Sequence, residues 1–133
     1  MASRQTVLIV EDDEDLRRMY RTALVFARYD VDDVGDGLDA LLHLDANPPD
    51  LVVLDLGLPS VSGQVVRQAI AGDPSTRHIP IVVVTGATGD LESLDVPCVL
   101  RKPVSPDRLI DAVRTALAQE PGRTAPGTTD GAR

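Results

Sequence analysis

A chain of 133 residues has room for one domain with a full core and none for a second of ordinary size. Its formal net charge of −8 argues against direct binding to nucleic acid or an anionic membrane, and favours cationic surfaces or ions as partners. The lone cysteine, Cys98, excludes an internal disulfide, and with 2% aromatic residues Val, Leu, Ile and Ala have to fill the core.

No apolar run approaches the roughly 20 residues of a membrane span, and the first residues lead directly into a short strand, so a soluble cytoplasmic protein is expected. Val7-Leu8-Ile9-Val10 predicts a strand buried on both faces, because a strand with one wet face would alternate apolar and polar residues. It runs into Glu11-Asp12-Asp13-Glu14-Asp15. Leu16, Met19, Tyr20, Ala23, Leu24 and Ala27 then recur at the spacing of a helix with one apolar face. Capping and the helix dipole account for one or two of these acids, but not for all five.

Tyr29 to Val34 predicts a weaker strand, interrupted by Asp30, Asp32 and Asp33 and so placed near a sheet edge. Asp36-Gly37 opens a second helix with Leu38, Leu41 and Leu42 expected on its inner face, and Asn47-Pro48-Pro49 stops it. His43 in that helix reads as a solvated or partly buried side chain, as does His78 in a later loop. Leu51-Val52-Val53-Leu54 predicts a third buried strand, ending at Asp55, after which Gly57, Pro59 and Gly63 break the pattern. Alone, Asp55 reads as a loop cap. Ser62 caps a third helix with Val65, Val66, Ala69 and Ile70 inward, ended by Gly72-Asp73-Pro74.

Ile79 to Val84 predicts a fourth buried strand with Pro80 tolerated at its start, ending at Thr85-Gly86-Ala87-Thr88-Gly89. Those glycines match neither the dinucleotide fingerprint nor the P-loop. Residues 90–94 allow only a short helix, and 97–101 a fifth strand ending at Lys102-Pro103. Ser105-Pro106-Asp107 starts a last helix with Leu109, Ile110, Val113 and Leu117 inward. From Glu120 large apolar residues almost vanish, as in a disordered tail or linker, so the expected domain spans 1–119 and the tail 120–133. Five strands alternating with five helices imply an α/β, doubly wound parallel sheet.

Parallel strands place all their carboxyl ends on one edge, where ligands of such sheets bind. Four of the five end in a chemically useful residue: Glu11-Asp12, Asp55, Thr85 and Lys102. Carboxylates crowded to about 4 Å would repel by about 4 kcal/mol per pair at an effective dielectric near 20, unless a cation intervenes. A hard divalent ion such as Mg²⁺ suits such oxygen ligands. Acids, a metal, a lysine and a hydroxyl are the parts needed to stabilise a phosphoryl group in transfer.

Leu8-Ile9-Val10-Glu11-Asp12-Asp13, Leu54-Asp55-Leu56-Gly57-Leu58-Pro59 with Gly63, Val84-Thr85-Gly86 and Lys102-Pro103 occur in that order, each at a strand end. Over about residues 6 to 119 the chain resembles the receiver domains of bacterial two-component response regulators. The resemblance implies a flavodoxin-like sheet of strand order 2-1-3-4-5. It implies that Asp55 is the phosphoacceptor, taking a phosphoryl group from a phosphohistidine to form an aspartyl phosphate. It also implies Mg²⁺ bound by Asp12, Asp55 and the backbone carbonyl of Gly57, with Glu11 acting mainly through water. Lys102, the Thr85 hydroxyl and the Gly86 N–H would bind the phosphoryl oxygens, Thr85 moving toward Asp55 on phosphorylation. The partners implied are a histidine kinase or phosphotransfer protein and a downstream effector or output domain, with a homodimer left open. Such a domain turns over no external substrate and catalyses only its own phosphorylation and dephosphorylation.

The chain departs from the pattern between Thr85 and Lys102. Only sixteen residues separate them, fewer than is usual in the family, so the helix over 90–94 has to be short or irregular. Val99 stands where many receivers carry an aromatic ring that moves with the threonine, and the small residues Gly57 and Ala87 occupy positions that tune dephosphorylation. An interaction module working without phosphorylation is the alternative reading of that altered face. A phosphohydrolase with an aspartate nucleophile fits poorly, because Gly57 replaces its second acid. Cys98 reads as a small buried hydrophobe.

Overall fold

The five strands form one parallel sheet in the order 2-1-3-4-5, as the resemblance implies. They are β1 (Thr6–Val10), β2 (Asp30–Val34), β3 (Leu51–Leu54), β4 (Ile81–Thr85) and β5 (Cys98–Arg101). The helices among the described residues are α1 (Glu14–Phe26), α2 (Gly37–Ala46), α3 (Gly63–Gly72) and α4 (Pro106–Ala118). This computed structural model describes residues 4–86, 96 and 98–119. The short helix expected over 90–94 and the tail from 120 lie outside the described residues.

The continuous apolar runs are explained by two-sided burial. Val7, Ile9, Leu51, Val53, Val82 and Val84 join Tyr20, Leu24, Leu109 and Val113 in one core layer, against α1 and α4. Leu8, Val10, Val52, Leu54, Ile81 and Val83 point to the other face and pack with Ala40, Leu44, Val66 and Ile70 of α2 and α3. Because side chains alternate along a strand, a run that is apolar at every position serves both layers at once.

The edge position of β2 accounts for its acids. Asp33 is paired with Arg17 at 3.0 Å and with Arg21, and Asp32 lies 3.2 Å from His43 Nε2. His43 is thus a half-buried residue beside an acid, and His78 is exposed. β4 begins two residues later than Ile79. Pro80 has no N–H to give the ladder, although its carbonyl accepts from Val52 N at 3.0 Å and Ile79 remains buried.

Two helices are rotated relative to expectation. In α2 it is Gly37, Ala40 and Leu44 that face inward, whereas Leu38 and Leu42 are 53% and 60% exposed. Gly37 sets this rotation: a Cβ there would come within 2.2 Å of the Val61 carbonyl oxygen, so the bare backbone is turned against that loop. In α3 Val66 and Ile70 are buried while Val65 and Ala69 are exposed. Gly63 packs on the end of β3, where a Cβ would lie 2.4 Å from the Asp55 carbonyl oxygen. The first turn of α3 therefore sits directly on the Asp55 backbone.

α1 ends in a left-handed cap: Arg28 N donates to Val25 O at 3.0 Å and Tyr29 N to Leu24 O at 3.1 Å, with Arg28 at φ 78°. Glycine adopts that conformation without the Cβ penalty, which exceeds its extra chain entropy. Arg28→Gly is expected to stabilise the protein by about 0.5–1 kcal/mol, read as a higher urea midpoint with an unchanged slope.

Candidate functional site

The strand ends meet as the topology requires, and the sheet ladder continues one residue past three of them. Glu11 N donates to Val34 O at 3.2 Å, Asp55 N to Val10 O at 3.0 Å and Lys102 N to Thr85 O at 3.0 Å. The backbones carrying these side chains are therefore held as firmly as the strands. Thr85 closes β4 and is 1% exposed. Gly86 follows it in open space, since a Cβ there would meet nothing within 4 Å.

Of the five acids after β1, Asp13 caps α1 by accepting from Leu16 N at 3.0 Å, and Glu14 and Asp15 lie in its first turn. Capping and dipole thus use the last three, leaving Glu11 and Asp12. Glu11 is 1% exposed and Asp55 6% exposed, which two carboxylates tolerate only with compensation. Lys102 Nζ supplies it, 2.8 Å from Glu11 Oε1 and 3.0 Å from Asp55 Oδ2. The contact with Asp55 is a hydrogen bond; that with Glu11 Oε1 is a close ion pair without good hydrogen-bond angles. The other oxygens are held by main chain, Glu11 Oε2 by Asp13 N at 3.1 Å and Asp55 Oδ1 by Gly57 N at 3.0 Å. The Glu11–Lys102 pair is not expected from the sequence alone, where Glu11 reads as an acid turned toward a metal.

Burial pushes the Glu11 carboxyl above its ordinary value, with Lys102 and the Asp13 amide pulling the other way. For Lys102 burial acts to lower the ammonium, but Glu11 and Asp55 outweigh it and hold it above its usual value. Tyr20, 1% exposed and with no hydrogen-bond partner for its hydroxyl, lies close enough to feel the same charges. Burial first, and then the negative charge of Glu11, push its phenol up to about 12. Cys98 is half-buried against the α4 layer, and burial raises its thiol, so it is a packing residue rather than a nucleophile.

Glu11, Asp12 and Asp55 each offer a carboxylate oxygen within 4.8 Å of the other two. All three donors are hard oxygens, and the exposed Asp12 leaves the group open on one side, so the residues fit Mg²⁺. Val99, in the position expected to matter for switching, is half-buried against the α2 and α3 layer.

The model of the response regulator receiver domain matches residues 7–114. The polar-differentiation response regulator DivK of Brucella anthropi is 32% identical over 118 residues, covering 85% of this chain and 96% of that protein. The crystal structure of the phosphorylated cyanobacterial phytochrome response regulator RcpA is similar at 28% identity and a TM-score of 0.72, over 84% of this chain and 90% of that one. The chemotaxis response regulator CheY4 of Vibrio cholerae shares the fold, with a TM-score of 0.78 at 24% identity over 85% of this chain and 98% of that one. A match over most of the chain, with all four strand-end motifs inside it, makes this protein a member of the response regulator receiver domain family of two-component signalling.

Proposed function

We propose that the protein accepts a phosphoryl group on Asp55 from a histidine kinase or phosphotransfer protein, with Mg²⁺ required, and thereby changes its affinity for an effector. The observation that carries this reading is the meeting of Asp55, Glu11 and Lys102 within 3.0 Å contacts, at the open edge where Asp12, Thr85 and Gly86 also end. An Asp55 carboxylate oxygen attacks phosphorus, the new O–P bond forming as the P–N bond to the phosphohistidine breaks. The departing imidazole nitrogen takes the electron pair and a proton. Gly57 N–H keeps the Asp55 carboxylate from rotating out of line.

Asp12, Asp55 and the Gly57 carbonyl would hold Mg²⁺, with Glu11 acting through water. When bound, Mg²⁺ neutralises the carboxylates and stabilises charge on the phosphoryl oxygens. Lys102, the Thr85 hydroxyl and the Gly86 N–H would take those oxygens. The new group carries about −1.5 to −2 charges, and drawing Lys102 and Thr85 toward it is the event that biases the surface between Thr85 and Lys102. On this reading residues 1–119 are the receiver and 120–133 its tail or linker, and the protein works in the cytoplasm without turning over an external substrate. No helix among the described residues is long and apolar enough to cross a membrane.

Acetyl phosphate with Mg²⁺ is expected to label the wild type, and Asp55→Asn to remain unlabelled, by intact mass. Equal labelling of the two would remove Asp55 as the nucleophile. Lys102→Met leaves two buried carboxylates without their cation and should cost about 3 kcal/mol at pH 7 in metal-free buffer. Glu11, already raised by burial, then rises further, because Lys102 was pulling it down. A raised folded-state value gives stability that is full below the unfolded value and lost as pH climbs through the folded one. The deficit of Lys102→Met should therefore shrink from pH 7 to pH 5 in urea unfolding.

A further inference from the structure

Asp12 has an exposed side chain, so its direction is set chiefly by its own main chain. That main chain is held from both sides by one residue. Arg17 N donates to the Asp13 carbonyl at 2.9 Å, and Arg17 Nη1 donates to the Glu11 carbonyl at 2.9 Å, so the two bonds straddle Asp12. The guanidinium is itself anchored: its Nε donates to Asp33 Oδ2 at 3.0 Å, and Arg21 takes Asp33 Oδ1. The side chain is only 22% exposed. Gly35 leaves space for it, since a Cβ there would stand 3.2 Å from Arg17 Nη1.

We propose that Arg17 is a positioning residue for the metal site: by tying the Glu11 carbonyl to Asp33 across β1, α1 and β2, it fixes the direction in which Asp12 presents its carboxylate. The inference rests on the proposed Mg²⁺ site at Glu11, Asp12 and Asp55. A rigid planar fork suits the task, because one group has to reach the Asp33 carboxylate with one N–H and the carbonyl with another. Lysine carries the same charge on a single ammonium at the end of a flexible stem. It can serve either partner, but not both in this geometry.

The sign of the effect separates positioning from electrostatics. Arg17 is a cation close to where a dication would bind, so by Coulomb's law its removal should tighten Mg²⁺ binding. Loss of a group that orients a ligand weakens metal affinity instead, by about 10-fold or more.

The test is calorimetric titration of MgCl₂ into the full chain, for the wild type, Arg17→Met, Arg17→Lys and Asp12→Asn, with melting midpoints recorded in EDTA. The Kd for Mg²⁺ is expected to rise about 10-fold in both arginine variants. A residue that merely ties β2 to α1 would lower the midpoint in EDTA and leave Kd unchanged. Unchanged or tighter binding in either folded arginine variant overturns the proposal. Should Arg17→Met fail to fold, the charge-conserving Arg17→Lys decides alone. If the wild type fails to bind Mg²⁺, or binds it no better than Asp12→Asn, the metal site itself is wrong and the role of Arg17 falls with it.

Discussion

Lys102 Nζ lies 2.8 Å from one buried carboxylate and 3.0 Å from another, and the strand-end site depends on that placement. Without a cation, Glu11 and Asp55 would combine the cost of leaving water with mutual repulsion, and burial already raises Glu11 above its ordinary value. With the ammonium between them, three charged groups share a desolvated volume at a net charge near −1. Removing Lys102 leaves two buried carboxylates without a cation, whereas removing one acid leaves the lysine paired with the other. The arrangement is therefore better understood as a constraint on the fold than as a source of stability, since a well-packed apolar trio of the same volume would cost less to bury.

The parallel sheet makes this constraint tolerable. Glu11, Asp55 and Lys102 each stand one residue past a strand, and each has its N–H in the continuing ladder, to Val34, Val10 and Thr85. The long Lys102 side chain consequently starts from a fixed backbone. The loop after β3 is fixed from below, with the first turn of α3 resting on the Asp55 carbonyl at Gly63, where no Cβ fits. Rigid elements hold the acids to a precision that mobile loops would not.

The strands and their ends are legible in the sequence because a two-sided apolar run can be buried in only one way, and because parallel order forces the ends together. Asp55 changes from a loop cap to the centre of a site on that argument alone. The faces of α2 and α3 are less legible: Leu38, Leu42 and Val65 read as core residues by apolarity but are exposed. The rotation of those helices is set by backbone contacts of Gly37 and Gly63, which a pattern of side-chain polarity does not record. The Glu11–Lys102 pair and the reach of Arg17 to Glu11 escape for a related reason. Each joins residues through a distance that only the packed sheet defines, and a charged residue one turn into a helix reads first as solvated surface. Asp33 offered the one available hint, as an acid inside a strand that needed a partner.

Charge accounting at the strand ends also bears on how a signal would leave the site. Lys102 already serves two anions, and phosphorylation would turn one of them, the Asp55 carboxylate, into a neutral acyl group bearing a phosphoryl group of greater charge. On the proposed reading the ammonium would follow that charge, from the Asp55 oxygen toward the phosphoryl oxygens. Lys102 is joined to the β4 end by its own N–H, and Leu100 and Val104 on either side of it pack in the layer of α1 and α4. A shift of its side chain is thus coupled to β5 and α4 as well as to Thr85. On the proposed reading that route runs through the lysine's backbone and the core beneath it, and does not call on an aromatic ring at the position of Val99.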